Sequence, residues 1–265
     1  SVEPLKPIIK VAHLTSVHGR YDTRIFIKMC SNLAVNGYSV YLVVGDGLGD
    51  ESKNNVSIID IGAKTGGRIS RMTSTMWSLY KKARELDTDI YHLHDPELIP
   101  IGLLLQNFGK KVVYDAHEDT KNQILIKPYL NTFSSRILSK LYEWFEGYSL
   151  SRLSGIITAT NKIRDNLIPI STNIQCIKNY PTHTYISFEE KNDYKKNIIY
   201  IGGLSRERGI IELLDSLSYI DPIINIDLCG KFFDPNFEKK VMTHPNGRRV
   251  YYHGFVNQEF ILKKR

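Results

Sequence analysis

Residues 89–100 read DIYHLHDPELIP. Ile90, Tyr91 and Leu93 have the makings of a short buried strand. Asp95 and Pro96 then predict a helix start, because Asp favours the N-cap and Pro the first helical turn. Two histidines and an aspartate therefore stand at the exit of a strand, where buried polar atoms need partners. In open parallel sheets that exit is where ligands bind.

Working outward, the same strand-then-helix unit recurs. IIKVAHLTSV precedes a helix, TRIFIKMCSNLAVNG, whose Phe26, Met29, Cys30, Leu33 and Ala34 form one apolar face and whose Gly37 stands at the C-cap. YSVYLVVG, VSIIDIG, KKVVYDAH, GIITAT and NIQCIKN read as further strands, with helices near 70–86, after Asp95 and near 133–150. A polar stretch, NYPTHTYISFEEKNDYKKN (179–197), reads as a connection. The alternation then restarts with NIIYIGGL, a helix over 209–220, INIDLCG, FEKKVMTH, RVYYHGF and a last helix from near Gln258. The pattern predicts an α/β protein with two Rossmann-like doubly wound parallel-sheet domains, 1–180 and 181–265, the second incomplete.

Composition narrows the class. Hydrophobic residues are 42% and charged residues 24% of the 265, the balance of a soluble globular protein. Apolar runs such as YLVV and PIGLLL fall far short of the roughly 20 residues of a membrane span. No cleavable signal pattern opens the chain. Cys30, Cys176 and Cys229 are widely spaced and set in apolar segments, which predicts reduced thiols and a cytoplasmic protein. The net charge of +7 is spread as +5 over 1–180 and +2 over 181–265, so a nucleic-acid partner is not expected.

Four strand exits carry polar clusters: His18, Arg20, Asp22 and Arg24; His94 and Asp95; His117, Glu118 and Asp119; and Gly202, Gly203, Arg206, Arg208 and Gly209. The last lies in YIGGLSRERGIIELL. There two glycines admit a ligand close to the backbone, and two arginines precede a helix N-terminus that favours an anion. That design suits a diphosphate without a metal; the competing reading is a tight turn with solvated arginines. His92 and His94 share a strand face, so they either ligate a metal with Asp95 or divide into one packed ring and one ligand contact. Met72, Met76, Trp77, Leu79 and Tyr80 read as core-facing. Arg68, Arg71, Lys81, Lys82 and Arg84 read as a solvated face.

HLTSVHGRYDTRIF, DIYHLHDPELIP, VVYDAHE, the NYP step, YIGGLSRERGIIELL and VYYHGFVNQE, in this order, resemble the GT-B-fold retaining glycosyltransferases of family 4. The resemblance implies a nucleotide-sugar donor held by the second domain at Gly202, Gly203, Arg206, Arg208 and Gly230. It implies a glycan or lipid-linked acceptor against the first domain, near His18, Arg20, Asp22 and Arg24, and no metal or other cofactor. His117 takes the position beside the transferred sugar, and His94 that of an acceptor- or donor-side contact. Arg208 replaces the family's usual lysine, Gly203 stands where the family has an arginine, and Arg206 is the candidate to supply that charge. The family's paired-glutamate motif would fall after Arg265, so the chain reads as a fragment open to self-association through its second domain. A peripheral place on the cytoplasmic face of an anionic membrane is expected through the basic helix over 68–84. Trp144 and its neighbours are expected to pack against the first sheet. The rival readings are a metal-dependent hydrolase using His92, His94, Asp95 and His117, and a non-catalytic sugar-nucleotide binding module.

Overall fold

The computed structural model describes residues 7–63, 68–117, 132–180, 197–256 and Phe260. Glu118, Asp119, the stretch after Tyr180 and the helix start near Gln258 lie outside the described residues. The chain divides into two compact units, Ser1–Pro181 and Thr182–Arg265.

The first unit is built on eight strands: β1 (Lys10–Leu14), β2 (Ser39–Val44), β3 (Glu51–Lys53), β4 (Val56–Asp60), β5 (Ile90–Leu93), β6 (Lys111–Ala116), β7 (Gly155–Thr158) and β8 (Ile174–Cys176). Their order is β3-β4-β2-β1-β5-β6-β7-β8, and every pair is parallel except β3 with β4. The order reverses between β1 and β5, which makes their carboxyl ends the switch point where such sheets bind ligands. The sequence pattern missed β3. Its strand is short and polar, and Asn54 and Asn55 join it to β4 with φ of 53° and 58°, the two positive values that a tight hairpin turn requires.

Strand alternation sorts side chains onto two faces. Ala12, Leu14, Tyr91, Leu93, Val112 and Tyr114 face the larger core, under helices α2 (Arg68–Leu86), α3 (Ile99–Asn107), α4 (Thr132–Leu150) and α5 (Asn161–Leu167). Val40, Leu42, Val44, Val56 and Ile58 face the opposite way, against Ile25, Phe26 and Cys30. These three lie on a wide π-helical segment, Thr23–Cys30, which continues as α1 (Ser31–Val35). Met29 is only half-buried, as are Leu33 and Ala34.

Two helix faces depart from expectation. Leu79 and Ala83 are buried and Met76 and Tyr80 pack against the core, but Trp77 is 58% exposed, since one residue past Met76 turns it about 100° away. Trp144 is 71% exposed, with Ile137, Leu141 and Tyr148 exposed beside it at helical spacing. That stripe does not pack on the sheet; it faces outward.

The second unit has a parallel sheet in the order β11-β10-β9, formed by β9 (Asn197–Ile201), β10 (Asn225–Cys229) and β11 (Val250–Gly254). Its core is Leu204, Ile210, Leu214, Leu217, Ile226, Leu228, Phe237 and Val241. The helix expected over 209–220 is shorter: α6 (Ile210–Ser216) gives way to a 3-10 turn, Leu217–Tyr219. FEKKVMTH contributes to α7 (Pro235–Met242), which Asp234 caps by accepting from Asn236 N.

Candidate functional site

At the switch point, polar residues from β1, β5, β6 and the π-helical segment meet. Asp95 was expected to cap the following helix, yet its side chain makes no capping bond there. Instead its buried carboxylate accepts from Thr15 Oγ1 at 2.8 Å, Ser16 N at 2.6 Å and Ser16 Oγ at 3.1 Å. Thus it ties the exit of β1 to that of β5. Burial works against its charge, but the His18 contact and these donors outweigh burial and hold its pKa below the usual carboxylate range.

His18 lies between two carboxylates, Nδ1 3.6 Å from Asp22 and Nε2 3.3 Å from Asp95. Asp22 first and Asp95 second raise its pKa to about 10, so His18 is an imidazolium at neutral pH. Asp22 also caps the π-helical segment through Arg24 N and Ile25 N. Its pKa falls to about 2: desolvation opposes the shift, and the His18 bond and the Ile25 N–H overcome it.

Arg20 is buried and fully occupied by the protein. Nε and Nη2 donate to Asp46 at 2.7 and 2.6 Å, Nη1 to Glu51 at 3.1 Å and Nη2 to Gly49 O at 2.9 Å. It organises the loop before β3 rather than facing a ligand. Arg24 makes a bidentate pair with Asp115, at 2.9 and 2.7 Å. Asp115 is completely buried; desolvation pushes its pKa up, but Arg24 and His94 win and hold it far below the usual range. The sequence reading passed over Asp115 because it looks like an ordinary strand residue. The alternation of β6, with Tyr114 and Ala116 in the large core, was the signal that Asp115 faces the other way.

His117 is at the rim. Its Nδ1 lies 3.1 Å from Asp115 O, and its ring is 5.3 Å from that of His18. His94, expected as a ligand contact, is wholly buried one layer behind, with Nε2 2.8 Å from His13 Nδ1 and Nδ1 3.4 Å from Asp115. The hydrolase constellation therefore does not form: His92 and His94 are buried, Asp95 is turned toward Thr15 and Ser16, and His117 stands apart at the rim. The rim carries His18, Asp22 and His117.

In the second unit, the ends of β9, β10 and β11 enclose a cavity of about 240 Å³ lined by Ile201, Gly202, Gly203, Cys229, Gly230, Lys231, Phe233, Phe255 and Val256. A Cβ on Gly230 would lie 1.8 Å from Gly202 O, so only glycine allows these two strand ends to approach. Phe233 and Phe255, 77% and 87% exposed, bring two apolar rings to the cavity wall. Three of the five expected donor residues, Gly202, Gly203 and Gly230, thus converge. Arg206 and Arg208 are exposed on the 3-10 turn Arg206–Arg208 and do not line the cavity. Gly209, at φ 70°, makes the left-handed step from that turn into α6. Lys231, Phe233 and Phe255 were not singled out from sequence; Lys231 and Phe255 carried a signal, each directly following a glycine at a strand's end, Gly230 and Gly254.

The family profile described as Glycosyltransferase Family 4 matches residues 23–179. No curated protein matches the chain significantly. Solved structures align over nearly all of it. A sucrose-phosphate synthase from Thermosynechococcus elongatus aligns with a TM-score of 0.70 at 16% identity, covering 96% of this chain and 72% of the other. WaaG, a glycosyltransferase involved in lipopolysaccharide biosynthesis, aligns at 0.68 and 13% identity, covering 95% and 71%. HepE from Anabaena, in complex with UDP-glucose, aligns at 0.60 and 12% identity, covering 94% and 70%. At these identities the likeness establishes the GT-B fold, two Rossmann-like units with mostly parallel sheets.

Proposed function

The chain belongs to glycosyltransferase family 4, and from that premise we propose that it moves a sugar from a nucleotide-sugar donor to a glycan or lipid-linked acceptor, retaining the anomeric configuration. The observation that carries this reading is the glycine-walled cavity at the ends of β9, β10 and β11. Its apolar wall suits the flat base and ribose of a nucleotide, and Gly202, Gly203 and Gly230 let a diphosphate approach the backbone. Lys231 lines the cavity, and Arg206 and Arg208 follow β9. These cations would stabilise negative charge gathering on the departing nucleoside diphosphate, usually the largest catalytic contribution.

On the first unit, His117 would hold and orient the sugar, with His18 and Asp22 on the acceptor side. Arg20 and Arg24 act behind them by fixing the backbone that carries the rim. HepE is bound to UDP-glucose, which makes a uridine donor the first to test. No metal is needed for transfer on this reading, because the charge on the leaving group is met by side chains.

The pathway we propose is cell-surface polysaccharide assembly, with the protein peripheral on the inner membrane face. Two features support a lipid surface. Ile137, Leu141, Trp144 and Tyr148 form an outward apolar stripe on α4, near exposed Arg136 and Lys140. Lys81 and Lys82 lie on α2, while the side chains of Arg68 and Arg71 lie outside the described residues. Aromatic rings beside basic groups suit a bilayer interface. Salt-sensitive sedimentation with anionic vesicles should fall for both Trp144→Ser and Lys81→Glu/Lys82→Glu; equal sedimentation with neutral vesicles counts against it.

Thermal shifts across a panel of nucleotide sugars test the donor reading directly, since a ligand at a hundred times its Kd stabilises by about 2.7 kcal/mol. A selective shift followed by acceptor-dependent release of the nucleoside diphosphate is the expected outcome. A shift without turnover would leave the binding-module reading in its place.

A further inference from the structure

Three imidazoles lie together inside the first unit, away from the rim. His13 on β1 is the register partner of His92 on β5, and His94 follows two residues later on the same face. Their exposures are 0%, 6% and 0%. One nitrogen from each ring lies within 4.8 Å of the other two. His13 Nε2 and His92 Nε2 have no hydrogen-bond partner among the described residues. Two orphaned nitrogens side by side in a dry interior are costly and call for a missing partner.

The surroundings fit a cation better than chance packing. A metal-bound histidine ordinarily gives its other ring nitrogen to a carboxylate, which fixes the tautomer. His94 has that arrangement: Nδ1 is 3.4 Å from the buried carboxylate of Asp115, itself held by Arg24. We propose that His13, His92 and His94 form a buried site for a zinc-type first-row divalent cation, structural rather than catalytic. Neutral imidazole is the form that binds such ions. One proton now lies between His13 Nδ1 and His94 Nε2, which are 2.8 Å apart. Binding through His13 Nε2, His92 Nε2 and His94 Nε2 would give up that hydrogen bond and leave the proton on His13 Nδ1, so the ion enters with no net loss of protons. Asp115 supplies negative charge beside the ion. Full burial leaves no path for a substrate, which separates this site from the transfer chemistry at the rim.

The test uses the full chain, purified without a histidine tag and refolded from chelator with zinc or cobalt chloride. Plasma mass spectrometry should find about one equivalent of zinc after dialysis, as expected of a folding-coupled site. Cobalt should give the ligand-field bands of a low-symmetry nitrogen site, and zinc should raise the melting temperature. His13→Gln/His92→Gln should lose the metal and the thermal shift, and His117→Gln should keep both. Wild-type protein that refolds without binding stoichiometric zinc or cobalt overturns the proposal, whether or not the variants fold. Equal metal retention by His13→Gln/His92→Gln overturns it too, by moving the ion to surface histidines.

Discussion

The two candidate sites, one in each unit, solve opposite problems. At the switch point of the first unit, the charged side chains are already committed to one another: Arg24 to Asp115, His18 to Asp22 and Asp95, Arg20 to Asp46 and Glu51. In the second unit the wall is glycine and phenylalanine, and the cations Lys231, Arg206 and Arg208 are exposed. A site of mutually paired charges is rigid before any ligand arrives. One of bare backbone and exposed cations takes its electrostatic partner from the ligand. Substitutions should therefore damage folding in the first and binding in the second.

The sharpest break of that contrast is Arg24→Ala. It strands the Asp115 carboxylate in the interior, and removal of one partner from a buried pair costs about 3–5 kcal/mol. Urea denaturation should show that loss, and Arg24→Ala/Asp115→Ala should recover part of it because no lone charge remains. A loss of stability within experimental error would mean that the first site is not prebuilt by this pair.

Gly230→Ala should come next. Its methyl group would meet Gly202 O at 1.8 Å, so the ends of β9 and β10 must separate. Overpacking of that kind costs about 1–3 kcal/mol, and here it also deforms the cavity wall, so donor-induced thermal shifts should disappear. Gly203→Ala is the control, because its nearest contact is Phe233 Cε2 at 3.4 Å, an ordinary distance. If both substitutions have the same effect, close strand approach is not what shapes the cavity.

Smaller still is the effect of single cations. A hydrogen bond from a charged group to a bound ligand is worth about 1.5–3 kcal/mol, but an exposed cation that makes no such bond is screened and contributes roughly 0–1 kcal/mol. Lys231, which lines the cavity, should therefore matter more than Arg208, which does not. Lys231→Ala should weaken donor binding several-fold with stability unchanged, and Arg208→Ala should weaken it less. The reverse order would show that the 3-10 turn moves onto the donor.

The fold was legible because hydrophobic alternation is local. YLVV, VSIID and KVVYDA declare strands without help from distant residues, and the glycines after β9 and β10 mark strand ends. What stayed hidden depends on register. That His13 lies opposite His92, that Asp115 receives Arg24 from a segment far away in sequence, and that Asp95 abandons its own helix for Thr15 are facts about neighbours, not about residues. Arg20 and Arg24 read as acceptor-side contacts because they belong to a polar cluster at a strand exit. Their partners Asp46, Glu51 and Asp115 are carboxylates of the protein itself. Exposed Trp144 was misread for a related reason: an aromatic ring on a helix suggests a core, and only the helix's rotation decides which way it faces.

A last effect, set by pH, probes whether the rim of the first site is held by charge. His18 has a folded pKa of about 10, against 6.5 for an unperturbed histidine. Because the folded protein holds this proton more tightly, the stabilisation is fully present below pH 6.5. It declines as pH rises above that value and is gone once pH passes about 10. Asp22 shows the mirror image, with a folded pKa of about 2 against 3.8, so its share is present above 3.8 and lost as pH falls toward 2. Unfolding free energies measured by urea at pH 6, 8 and 10 should fall along this alkaline limb in the wild type. His18→Gln should flatten the limb, and the gap between the two proteins should narrow from pH 6 to pH 10, where about half of the wild-type His18 has lost its charge. Parallel limbs in the two proteins would mean that the rim stands on packing and neutral hydrogen bonds, and the contrast between the two sites would then rest on Arg24 and Asp115 alone.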